Sequence, residues 1–208
     1  MSIVLQFVRS GGFMMYPLIL TSIILIAVGI ERAVSLRKAA VDGDALLEEI
    51  KSVCKDDPQG NQDKGVSICE QYGGCIGRML ARGMKNAHRT PEAIEMAMEQ
   101  EAANEQPVLE ANLPIIKTIV NISPLMGLLG TIAGMISAFR VASQMGLSSP
   151  TQILGGISEA LTSTATGITL AVIGFILFNY YTNLTRKILE DMEYYGSELV
   201  NYLTGRVD

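Results

Sequence analysis

The chain has 208 residues, with 16 Lys and Arg, 21 Asp and Glu and one His, giving a formal net charge of −5 at pH 7. Hydrophobic residues make up 49 % and charged residues 18 %, against roughly 25 % charge in an ordinary soluble domain, and mean hydropathy is +0.31. This balance excludes a disordered chain, a collagen and a disulfide scaffold, and the missing basic excess and missing Trp argue against a nucleic-acid binder.

The charges are clustered, and three gaps separate them. Ser10–Ile30, Thr118–Phe139 and Ala160–Thr185 are runs of 21, 22 and 26 residues without a charge. A bilayer core takes roughly 20 apolar residues in a helix, so three membrane-spanning helices are expected. Residues 1–12 form a short tail whose one charge is Arg9. The first span starts near Phe13, with Pro17 at its opening, where a missing N–H costs little. Its apolar run is too long for a signal-peptide core and ends in Gly29-Ile30-Glu31-Arg32, not a small-x-small site. It is therefore expected to stay as an anchor.

Residues 31–117 hold 11 basic and 15 acidic residues, a polar segment of net charge −4. Asp56-Asp57-Pro58-Gln59-Gly60-Asn61 reads as a loop. Thr90-Pro91-Glu92 reads as a helix start, with a capping hydroxyl, a proline in the first turn and an acid at the positive end. The good helix formers that follow predict a helix running toward the second span, bent or interrupted by Pro107 and Pro114. Cys54, Cys69 and Cys75 all lie in this segment. They read as reduced thiols; the only His, His88, is far away in sequence, and no metal or cofactor is expected.

The second span begins after Lys117, Ser143–Thr151 makes a short turn, and the third span covers about Ile153–Tyr181. Beyond it, Ile188, Met192, Tyr195, Leu199 and Leu203 recur at helical spacing, an amphipathic helix continuous with the span. Basic residues flank one side: Arg32, Arg37, Lys38, Lys117, Arg186 and Lys187, against Arg9 and Arg140 on the other. The positive-inside rule then puts both the N-terminus and the turn near residue 146 outside. The expected order is tail and first span over 1–31, cytoplasmic helical segment over 32–112 and second span over 113–141. A periplasmic turn over 142–152, a third span over 153–185 and a cytoplasmic amphipathic helix over 186–208 complete it.

The later spans carry stripes of small residues. Gly127, Thr131, Gly134 and Ala138 line one face of the second; Ala160, Thr164, Gly167, Ala171 and Gly174 line one face of the third. Such stripes serve close helix packing, or leave room for another helix or a pore. The first span, rich in Leu and Ile, reads as a lipid-facing peripheral helix. Glu159 is the one acid near membrane depth, and such groups are functional candidates; a helix starting near Leu161 would instead leave it in the interface. Thr162, Thr166 and Thr169 share its face, and Thr164 lies about 140° away around the helix. The middle of every span lacks Asp, Glu, His, Lys and Arg. A proton relay needs an ionisable carrier, so any carrier must come from a partner.

Two motifs carry a family resemblance. Ser123-Pro124-Leu125-Met126-Gly127-Leu128-Leu129-Gly130-Thr131-Ile132-Ala133-Gly134-Met135 resembles the second-span motif of the MotA/TolQ/ExbB proton-channel family. Ile157-Ser158-Glu159-Ala160-Leu161-Thr162-Ser163-Thr164-Ala165-Thr166-Gly167-Ile168 resembles its third-span motif. Three spans and a short chain resemble the ExbB and TolQ members more than the four-span MotA. The resemblance implies an all-α integral membrane protein of the bacterial inner membrane, its second and third helices long and extending into the cytoplasm, assembling as a ring. The ring would be a pentamer around the single-span helices of an ExbD- or TolR-like partner, whose Asp carries the proton. Thr131 and Thr164 would then line the pore, with Glu159 the acid of the conducting path. Gly127, Gly134, Ala138, Ala160, Gly167 and Ala171 would serve as packing or pore stripes. Work would pass to a TonB- or TolA-like periplasm-spanning protein. Ser163 and Thr166 are more polar than the family pattern suggests.

The function expected is an ExbB-like motor subunit for outer-membrane transport. The alternatives are a TolQ-like subunit for envelope integrity and a non-conducting membrane scaffold. No Ser/His, metal or paired-acid constellation lies at membrane depth, so an enzyme is not expected.

Overall fold

The computed structural model describes residues 11–55, 60–145 and 150–205. Arg9, most of the loop at Asp56–Asn61 and the turn near residue 146 lie outside the described residues. Among those described, the chain forms seven helices and no strand: α1 Met15–Ala39, α2 Gly43–Val53, α3 Gln62–Tyr72, α4 Gly74–Lys85, α5 Pro91–Glu110, α6 Leu113–Met145 and α7 Pro150–Thr204. Three helical stretches, carried by α1, α6 and α7, are long and apolar enough to cross a membrane.

The chain divides into two compact units, one taking residues up to Glu31 and Asn112–Tyr180, the other Arg32–Ala111 and Tyr181 onward. In the first unit α6 and α7 pack antiparallel on their small residues. An added Cβ at Gly127 would stand 3.0 Å from Thr164 Cα, and one at Gly134 would stand 2.9 Å from Ala160 Cβ. One at Gly156 would stand 3.1 Å from Ala138 Cβ. Backbones this close are possible only where side chains are absent or a single methyl. From α1, Leu18 and Leu25 are buried, while Ile23, Ile24, Ile26 and Ile30 are exposed, the pattern of a helix with one seated edge and a broad apolar outer face.

The second unit is an ordinary helical core: Leu46 and Ile50 from α2, Ile76, Leu80 and Met84 from α4, Ile94 and Met98 from α5, and Met192 and Leu199 from α7 are all buried. The amphipathic repeat beyond the third span is thus a packing face, with Ile188 and Leu203 buried on it too. Asp42 caps α2 by accepting from the Ala45 N–H at 3.2 Å, and Thr90 caps α5 by accepting from Ala93 at 3.4 Å. At the other end of α5, the Arg32 guanidinium donates to the carbonyls of Val108 and Leu109, and the Thr185 hydroxyl donates to Leu109 as well. A helix C-terminus leaves its last carbonyls without helical partners; here two side chains take them up.

The helix expected to run toward the second span stops short of it. Pro107 is accommodated inside α5, and Pro114 sits in the first turn of α6. The break falls between them at Asn112, whose φ of 62° is left-handed. Asn tolerates that conformation better than most residues, and its amide is tied down by donating to Glu31 Oε2 at 3.0 Å.

Candidate functional site

The stripes on α6 and α7 bring two hydroxyls together. Thr131 Oγ1 and Thr164 Oγ1 lie 3.0 Å apart. Thr164 donates to the Gly127 carbonyl at 2.9 Å, and Thr131 is 2.8 Å from the Leu128 carbonyl. Gly127 makes this possible, because a side chain there would occupy the approach to Thr164. Two hydroxyl protons therefore share the Gly127 and Leu128 carbonyls and each other's oxygens as acceptors. If Thr164 donates to Gly127, Thr131 can donate to Thr164; if Thr131 donates to Leu128, Thr164 can donate to Thr131. A hydroxyl both donates and accepts, so the pair can reverse its direction without moving either backbone.

Glu159 is not part of this pair. Its carboxylate lies against the backbone of Gly12, where an added Cβ would overlap Oε1 and Cδ and stand 2.7 Å from Cγ. The separation of Glu159 from Thr164 follows from the helical wheel, since five residues turn the helix through about 140°. Thr162, Thr166 and Thr169 each donate to the carbonyl four residues back, at 2.8 Å. Thr166 and Thr169 also border a mostly apolar cleft with Leu18, Ile19, Ser22 and Ile173. Gly127, Gly134, Ala138, Ala160, Gly167 and Ala171 are all buried; the first five lie in the α6–α7 contact.

Ser163 is a feature that spacing alone does not reveal. It is fully buried, and its hydroxyl has no hydrogen-bond partner among the described residues. The oxygen points at Gly130, where an added Cβ would overlap it and stand 3.3 Å from Met14 Cβ. Gly130 thus admits both a hydroxyl from α7 and the opening turn of α1. The sequence signal was present, in a serine one turn after Glu159 and a glycine inside the second-span motif, but nothing local links them.

Outside the spans, the titratable groups that stand out are structural. In the second unit the Glu105 carboxylate is gripped by Arg78, through Nε to Oε1 and through Nη2 to Oε2 at 2.7 Å. The Cys75 thiol donates to Oε2 at 3.4 Å. The guanidinium holds the Glu105 pKa below its ordinary value. Burial first, and the neighbouring carboxylate second, push Cys75 up to about 12; burial raises Cys69 to about 12 as well. All three cysteines are buried free thiols, and no group of His, Cys, Asp and Glu able to hold a metal occurs among the described residues.

Three apolar helices, two of them locked through small residues around a hydroxyl pair at charge-free depth, define a multi-pass helical membrane protein. The chain belongs to the MotA/TolQ/ExbB proton channel family, which residues 73–194 match. A Synechocystis protein named ExbB-like 1 is 31 % identical over 193 residues, covering 91 % of this chain and 74 % of that protein. The biopolymer transport protein ExbB of Xanthomonas campestris is 24 % identical over 120 residues, 58 % of this chain and 47 % of its own. The Tol-Pal system protein TolQ of Pseudomonas aeruginosa is 33 % identical over 98 residues, 47 % of this chain and 42 % of its own. The chain is therefore a subunit of ExbB/TolQ kind.

Proposed function

We propose that this chain is the ring-forming subunit of an ExbB-like, proton-driven motor in a bacterial inner membrane. Five copies would surround the single-span helices of an ExbD-like partner and pass work to a TonB-like protein spanning the periplasm, so energising outer-membrane transport. The observation that carries the reading is the Thr131–Thr164 pair, 3.0 Å apart between charge-free spans. A threonine hydroxyl can hand a proton on but does not itself ionise at physiological pH. The carboxylate that gains and loses the proton is supplied by the partner, and Thr131 and Thr164 relay beside it. Glu159 is the acid of the conducting path on the outer side. The exposed apolar residues of α6 and α7, among them Leu125, Ile132, Phe139, Leu161, Val172 and Ile176, supply the surface that ring neighbours and lipid would cover.

In this reading the N-terminus is periplasmic, residues 32–112 and 186–208 are cytoplasmic, and 142–152 is the periplasmic turn. Basic residues beside the span ends support that orientation. The ExbB-like role is favoured over the TolQ-like one because the relative matching nine-tenths of the chain carries an ExbB-like name, while the TolQ relative matches under half.

The test is proton flux into liposomes holding the chain with and without its single-span partner, and with Thr164→Val. Flux that requires the partner and falls with the substitution is the expected result. No flux from an intact complex of normal size would overturn it in favour of the scaffold.

A further inference from the structure

We infer that Gly12 is a positioning residue for Glu159: its bare α-carbon is the seat on which the Glu159 carboxylate rests. This deepens the reading above, since it rests on Glu159 being the acid of the conducting path.

Three observations converge on Gly12. Its φ is +66°, in the left-handed region where a side chain is strained. Its carbonyl accepts the Met15 N–H at 3.1 Å, so it is fixed by the opening turn of α1 and does not dangle ahead of it. A Cβ on it would overlap Oε1 and Cδ of Glu159. Glycine is thus favoured twice at this position, by the backbone and by the resting place of the acid. The same opening turn reaches α6 and α7 again one step on, where Met14 approaches Gly130 beside the buried Ser163 hydroxyl. The entry of the first span accordingly seats the acid of the third, and does more than anchor the chain in lipid.

The contact is with the far end of a flexible side chain, so a methyl group at Gly12 is relieved by swinging the carboxylate away, with the helices left in place. Gly11 is the matched control, because a Cβ there would meet Met15 Sδ at 3.0 Å and not the acid. Gly12→Asn separates the two demands on Gly12: Asn accepts positive φ more readily than Ala yet still carries the Cβ.

The experiment is carried out on the chain assembled with its single-span partner in membranes. Modification of Glu159 by dicyclohexylcarbodiimide, followed by mass spectrometry, reads the carboxyl's surroundings, and proton flux reads function. Gly12→Ala and Gly12→Asn are expected to change the rate of Glu159 modification at least threefold and to lower flux, while Gly11→Ala leaves both unchanged. Unchanged modification in both Gly12 variants overturns the inference. So does a loss of thermal stability from Gly12→Ala that is equally large in a Glu159→Ala background, since backbone strain alone would then explain the residue; this arm needs only folded protein. Glu159→Gln keeps the two failures apart. Wild-type flux in it removes the conducting role of Glu159, whereas lost flux in it with inert Gly12 variants removes only the seat.

Discussion

Thr131 and Thr164 meet hydroxyl to hydroxyl at 3.0 Å across the antiparallel contact of α6 and α7, directly beside Gly127. Each hydroxyl also has a helix carbonyl in reach, so either can lose the pair without being stranded. That makes the pair cheap to break structurally. Thr164→Val keeps the shape and removes one oxygen; a net hydrogen bond is worth about 1 kcal/mol, and thermal unfolding of the assembled protein is expected to shift by no more than that. Proton flux is expected to fall at least about tenfold, the equivalent of about 1.4 kcal/mol on a barrier. Equal flux in wild type and variant would leave the threonines a packing role only.

Gly134 lies in the close backbone contact of α6 with α7. An added Cβ would stand 2.8 Å from the Gly156 carbonyl oxygen and 2.9 Å from Ala160 Cβ, and backbone cannot step aside as a side-chain tip can. Gly134→Leu is expected to cost about 3 kcal/mol or more by overpacking and to abolish a homogeneous oligomer in size-exclusion chromatography. Gly155, one position from Gly156, has open space around its α-carbon, so Gly155→Ala should elute and melt as wild type. A normal oligomer from Gly134→Leu would refute the close contact.

The elements that periodicity could reach were legible. Small residues at spacings of three and four mark a helix face that must touch another backbone, and those on α6 and α7 touch each other. Ile188, Met192, Leu199 and Leu203 recur as a buried face for the same reason. The helix end at Asn112 was not legible, because Pro107 and Pro114 are the stronger local breakers, yet Pro107 is carried inside α5 and Pro114 falls in the first turn of α6, where its missing N–H costs little. The seat at Gly12 and the pocket of Ser163 were not legible either. Each depends on which turn of α1 meets which turn of α7, a register set by packing and invisible to spacing within one helix.

Cys69 and Cys75 are buried, and both thiols are held near a pKa of about 12. At pH 7 the thiolate fraction is then on the order of 1 in 100,000, and only the thiolate reacts. Neither residue is expected to be alkylated by maleimide in the folded protein over an hour at neutral pH, and both should react fully in denaturant. Rapid modification of Cys75 in the native state would mean that the Arg78–Glu105 pair does not close over it.

The same pair predicts an acid-sensitive unit. Arg78 and the Cys75 thiol both favour the ionised form of Glu105, whose pKa is lowered in the folded state. A lowered folded pKa adds stability that is complete above the unfolded value, about 4.3 for glutamate, and is lost as pH falls through the folded value. The Arg78 side chain is 52 % exposed and that of Glu105 8 %, so water screens the pair and its contribution is expected to be about 1 kcal/mol. Melting of the wild-type protein should therefore fall as pH drops below about 4.3 and through the lowered folded value. Glu105→Gln should melt lower at pH 7 and flatten that acid limb, because it has no charge left to lose. An acid limb as steep in Glu105→Gln as in wild type would place the sensitive carboxylate elsewhere in the chain.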